Sequence, residues 1–148
     1  MKRKRAKRGI ANGFVLLEAL IAILIFSMGI LALMGLQAAS IKNTVEAKYR
    51  TDASFLANQI VARMWVDQAN IASYAHHATG ASCNPSGSAS TYAKVTSWLN
   101  QVAAALPGAS AAHQQIAVGT NHLITVRICW KSPQETSYHN YVTITQIN

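Results

Sequence analysis

The sequence predicts an α+β protein, with a long N-terminal helix, part membrane segment and part amphipathic, packed on a small antiparallel sheet. Three observations carry this expectation. A cationic stretch, MKRKRAKR, gives way to a 23-residue apolar run from Phe14 to Leu36. Apolar residues then recur at helical spacing to about residue 66, and no proline precedes Pro85. The last third alternates along two stretches parted by a turn-rich break, the pattern of antiparallel strands.

The leader, residues 1–13, carries six of the 13 Lys and Arg as Lys2, Arg3, Lys4, Arg5, Lys7 and Arg8. Positive charge ahead of an apolar segment holds the N-terminus in the cytoplasm. As a helix, residues 14–36 extend about 35 Å, enough to cross a hydrocarbon core of about 30 Å. That length is too great for an ordinary cleavable signal, and Leu36-Gln37-Ala38-Ala39 matches the small-x-small cleavage pattern only loosely. Within the run only Glu18 and Ser27 resist lipid. An ionised acid near a helix centre costs about 3 kcal/mol to insert, so Glu18 calls for a partner. No basic side chain follows until Lys42, far beyond reach along a helix. Cutting between Gly13 and Phe14 would create an α-ammonium at Phe14, one helical turn before Glu18. The pair could then close within one chain or between neighbours.

Residues 37–66 continue the helix as an amphipathic segment. Ile41, Val45, Tyr49, Ala53, Leu56, Ile60 and Met64 fall at spacings of three and four, leaving Lys42, Glu46, Lys48, Arg50, Asp52 and Asp67 for the surface. Gly29 and Gly35 weaken the helix locally, and either serve close helix packing or mark a place of bending. The head is assigned to residues 67–148, opening with a connecting loop region over 68–93 that holds Cys83. A short helix over 94–106 follows, its face formed by Val95, Trp98, Leu99, Val102 and Leu106 and its end set by Pro107-Gly108. Trp98 on such a face is read as core. Ile124, Val126, Ile128 and Trp130 alternate with Leu123, Thr125, Arg127 and Cys129. Beyond Pro133, Val142 and Ile144 alternate with Tyr141, Thr143, Thr145 and Ile147, and a further strand is expected near Gln114–Val118.

Beyond the membrane run roughly 110 residues remain, enough for one modest domain. The net charge of +8 is mainly a topology signal, since outside the leader seven basic side chains face five acids. Lys94, Arg127 and Lys131 are the only basic residues beyond Arg63, which argues against a nucleic-acid face. Cys83 and Cys129 lie in the part placed outside the cytoplasm, where a disulfide is expected. His76, His77, His113, His122 and His139 are read as solvated loop and strand residues, and no metal site or cofactor is expected. Phosphate-cradling glycine loops, nucleophile elbows and paired catalytic carboxylates are missing from the sequence, so no enzymatic activity is predicted.

Gly13-Phe14-Val15-Leu16-Leu17-Glu18 resembles the class III leader junction of type IV pilins and of type II secretion pseudopilins. The resemblance implies cleavage after Gly13 by a prepilin peptidase on the cytoplasmic side and N-methylation of Phe14. It also implies that Glu18 docks a subunit by pairing with a neighbour's N-terminal amine. Gly29–Gln37 and Leu56–Met64 are similar to the PilV type of minor pilin. Trp98, Leu106-Pro107-Gly108 and Ile124-Thr125-Val126 through Trp130 fit the same layout. The likeness is close over residues 9–65 and patchy over 80–148.

Taken as a whole, the resemblance implies a minor pilin of a type IV pilus, with a pilin-like fold. Such a subunit sits in the bacterial inner membrane with its head in the periplasm, then passes to the pilus at the cell surface. Its implied partners are other pilins and minor pilins, the prepilin peptidase and the inner-membrane pilus assembly machinery. Major pilins commonly carry a proline in the apolar helix, and its absence here points to a minor component. A type II secretion pseudopilin shares the same junction. An adhesion or DNA-uptake module on the head and an uncleaved anchor of unrelated function are the remaining alternatives.

Overall fold

The structure, a computed structural model, describes residues 11–133 and 135–148, with side chains from Phe14 onward. Its elements are α1 (Ala11–Trp65), β1 (Thr79–Ala81), β2 (Asn84–Ser86), α2 (Ala93–Ala105), β3 (Gln115–Val118), β4 (Leu123–Trp130) and β5 (His139–Gln146). The fold is α+β, as the sequence predicts. Two compact units divide the chain, one ending at Thr44 and the other spanning Val45–Asn148.

In the first unit, every described side chain from Phe14 to Thr44 is exposed. A helix that is apolar on all faces suits a membrane or a bundle of like helices, because its backbone bonds are internal. Two of its hydroxyls are also satisfied internally: Ser27 donates to the Ile23 carbonyl at 2.7 Å and Thr44 to that of Ser40 at 2.9 Å. Ser27 therefore brings no unpaired hydroxyl into hydrocarbon. Gly29 and Gly35 lie within unbroken helix, and a Cβ at either would meet nothing within 4 Å.

In the second unit, α1 buries Ala53, Leu56, Ala57, Ile60 and Met64. This stripe meets Val95, Trp98, Leu99 and Val102 of α2, with Leu106 just beyond it. Trp98 is fully buried, and its indole N–H donates to the Leu56 carbonyl at 2.9 Å, so this tryptophan brings no unpaired donor into the core. α2 is offset by one residue from the expected 94–106. Leu106 is its C-cap, still donating its N–H to Val102.

The sheet is antiparallel in the order β3-β4-β5. Ile124, Val126, Ile128 and Trp130 of β4 face the core with Ile116 of β3. The register pairs Ile124 with Thr145, Val126 with Thr143 and Ile128 with Tyr141. Cross-strand partners share a face, so Tyr141, Thr143 and Thr145 point with the core residues, and Val142 and Ile144 point outward. Tyr141 reaches Ser54 of α1, which donates to its hydroxyl at 3.2 Å. The more polar of the two alternating sets in β5 is thus the inner one.

Residues 68–93, expected to be a connecting loop, hold more structure than that. A 3-10 segment spans Gln68–Tyr74, burying Ile71 and Tyr74, and β1 and β2 form a small hairpin. Neither is long enough to leave a periodic trace. Gly80 is required in the hairpin, since its φ is +94° and a Cβ there would meet the Ser86 nitrogen at 2.7 Å. Cys83, in the hairpin turn, is bonded to Cys129 of β4 with a Cα–Cα distance of 5.6 Å.

The bond closes a separation of 46 residues, which on the chain-entropy model stabilises the head by about 4 kcal/mol. Urea unfolding of the detergent-solubilised Cys83→Ser/Cys129→Ser variant should show a loss of about that size. Trp98→Ala should lose about 3–5 kcal/mol in the same measurement. An unchanged midpoint in either would contradict this account of the head.

Candidate functional site

The expected processing site straddles the edge of the described structure. The leader as far as Ile10 lies outside the described residues, and for Ala11–Gly13 only the helical backbone is described. From Phe14 the geometry is explicit. Phe14 and Glu18 are four residues apart in unbroken α-helix, so they share a face, about 6 Å apart along the axis. Phe14 is 78% exposed and Glu18 is exposed too. Among the described residues no hydrogen bond or ion pair reaches the Glu18 carboxylate. Around it stand Val15, Leu16, Leu17, Leu20 and Ile21, all exposed and apolar. Such a surface can accept one cation at one depth and otherwise offers only apolar contact. The helix is also the one segment long and apolar enough to cross a membrane among the described residues.

Elsewhere the charged and titratable groups are mostly committed to the fold. Asp67, expected among the surface charges, is 11% exposed and joins several segments. Its carboxylate accepts from Asn70 at 2.8 Å, Tyr74 at 2.9 Å, Tyr92 at 2.6 Å and Lys94 at 2.6 Å. The bonds from Asn70, Lys94 and Tyr92 hold its carboxyl far below the usual range, and they raise Lys94 and Tyr92 in return. Tyr74 is pushed up first by burial and then by its bond to Asp67.

His76 is not solvated as expected but 2% exposed. Its Nδ1 accepts the Ser90 N–H at 3.1 Å, so Nε2 carries the proton and donates to the Ala111 carbonyl at 2.9 Å. Burial lowers its pKa, and the ring serves as a neutral bridge between segments. The strand-like pairing of His76 with Ile116 fixes it there. His77 bonds the Gly87 carbonyl, and His113 lies against Ser110 and Tyr138. His122 is exposed. His139 meets Glu135 and Glu46, a grouping that sequence spacing does not reveal because Glu46 comes from α1.

No family model, curated protein or solved structure matches the chain.

The Asp67 cluster gives a pH prediction. A carboxyl lowered in the folded state adds stability above its ordinary value of 3.8, and that contribution is lost as pH falls from there toward the lowered folded value. Asp67→Asn should therefore flatten the fall in stability below about pH 4, read from urea midpoints across an acid series. Parallel curves for the two proteins would remove Asp67 from that role.

Proposed function

We propose that this chain is a minor pilin subunit of a type IV pilus, of the PilV type, without enzymatic activity. It is held in the bacterial inner membrane by residues 14–36 with its head in the periplasm, and joins a filament through its N-terminal helix. The observation that carries this reading is Glu18, an exposed acid one turn after Phe14 on an otherwise apolar surface. Cleavage after Gly13 leaves a cationic amine at Phe14 on each subunit. In a fibre, the amine of one subunit meets Glu18 of the next, in surroundings where an unpaired charge is expensive and a paired one is directional. The apolar remainder of the helix packs against like helices, and the lone acid sets their register along the axis. The disulfide-bonded head accords with an oxidising compartment.

Mass analysis of the membrane-extracted protein is expected to find Phe14, methylated on its α-nitrogen, as the first residue. Glu18→Ala and Glu18→Val should insert into membranes as the wild type does yet be depleted from sheared filaments by about 10-fold or more, matching a loss of at least 1.4 kcal/mol. A native chain that keeps its leader while active, or variants that enter filaments normally, would overturn the proposal. Recovery of the protein in secretion-system pseudopili instead would move it to that machine.

A further inference from the structure

The head contains a group of ligand-type side chains for which filament assembly has no use. Glu46 on α1, Glu135 in the β4–β5 connection and His139 at the start of β5 each offer one donor atom, and these atoms all lie within 4.8 Å of one another. We propose that they form a binding site for one divalent transition-metal ion, with zinc the best match.

The donor chemistry selects the ion. One imidazole nitrogen with two carboxylate oxygens suits zinc and its neighbours, whereas calcium takes about 6–8 oxygens. Two carboxylates and a neutral imidazole also carry the charge that a divalent cation cancels. Glu135 hydrogen-bonds His139 Nε2, and Glu46 Oε2 lies 3.8 Å from the same nitrogen. Zinc bonds of about 2.0–2.2 Å set ligand atoms about 3.3 Å apart, so small side-chain rotations suffice to close the set. Metal at Nε2 takes the place of the hydrogen bond to Glu135.

The surroundings hold the ligands in place, as outer-shell partners do at metal centres. Ser132 donates to Oε1 of Glu46, leaving Oε2 turned toward His139. The Trp130 indole stacks on the His139 ring, with centroids 5.8 Å apart and planes 22° from parallel. Trp130 and His139 are also direct partners across β4 and β5, which fixes the backbone beneath the ring. The three side chains are partly exposed, so an ion can enter and water can complete its coordination. Bound there, the ion ties α1 to the connection between the last two strands.

The test is zinc binding by the metal-stripped full chain in detergent, measured in competition with a chromophoric chelator. One zinc ion per chain is expected. Glu46→Gln, Glu135→Gln and His139→Ala should each weaken binding by at least about 10-fold, while His77→Ala and His122→Ala bind as the wild type. Cobalt substituted into the wild type should give visible absorption bands that Glu135→Gln lacks. Zinc should raise the wild-type melting temperature but not that of Glu135→Gln, a size-conserving variant that guards against misfolding of His139→Ala. Failure of the wild type to bind zinc, equal binding by a folded Glu135→Gln, or loss of binding in the His77 or His122 variant would overturn the proposal.

Discussion

The backbone of α1 imposes the governing constraint. A lipid-facing segment must pair each N–H and C=O within itself, because hydrocarbon offers no partner. Residues 11–65 meet that requirement with one helix free of proline, in which even the Ser27 and Thr44 hydroxyls turn back onto their own carbonyls. With hydrogen bonding settled internally, side chains alone decide what each stretch contacts. From Phe14 to Leu36 they are almost all apolar, and between Ala53 and Met64 one stripe of small and large apolar residues is buried while Phe55 stays exposed. Glu18 departs from the first pattern, and its cost is what makes it informative.

The head is fastened by a few polar links as well as by its core. The Trp98 indole bonds the Leu56 carbonyl, which sets α2 against α1 at one register and no other. Gln114 acts similarly in the sheet, accepting the Cys129 N–H at 2.9 Å and donating to the Cys129 carbonyl at 3.0 Å. Asp67 gathers two tyrosines, an asparagine and a lysine from the segment after α1 and the start of α2. Each link pairs a buried group that would otherwise be left costly, so these bonds specify arrangement more than they add stability.

Much of this was legible in the sequence for physical reasons that differ by element. The long helix and α2 repeat their apolar residues over several turns, and β4 alternates cleanly through Ile124, Val126, Ile128 and Trp130. Such periods survive in a single sequence. The inward face of β5 was not legible, because Val142 and Ile144 are the more apolar set and yet point outward. Register with β4 decided that, and register is a tertiary property. The 3-10 segment and the hairpin in 68–93 are too short for periodicity, and burial of His76 depends on its pairing with the distant Ile116. At the N-terminal junction, leader charge, Gly13, Phe14 and Glu18 are contiguous and could be read directly. The Glu46, Glu135 and His139 group could not, since one member lies on α1 and the others flank a turn.

The single covalent cross-link in the head has a further consequence. With only Cys83 and Cys129 in the chain, oxidation has one intramolecular product, and scrambled pairings cannot form within a monomer. A thiol oxidase suffices for maturation, with no isomerase needed to edit mistakes. Misfolding through sulfur would have to be intermolecular, and so would rise with the crowding of nascent copies.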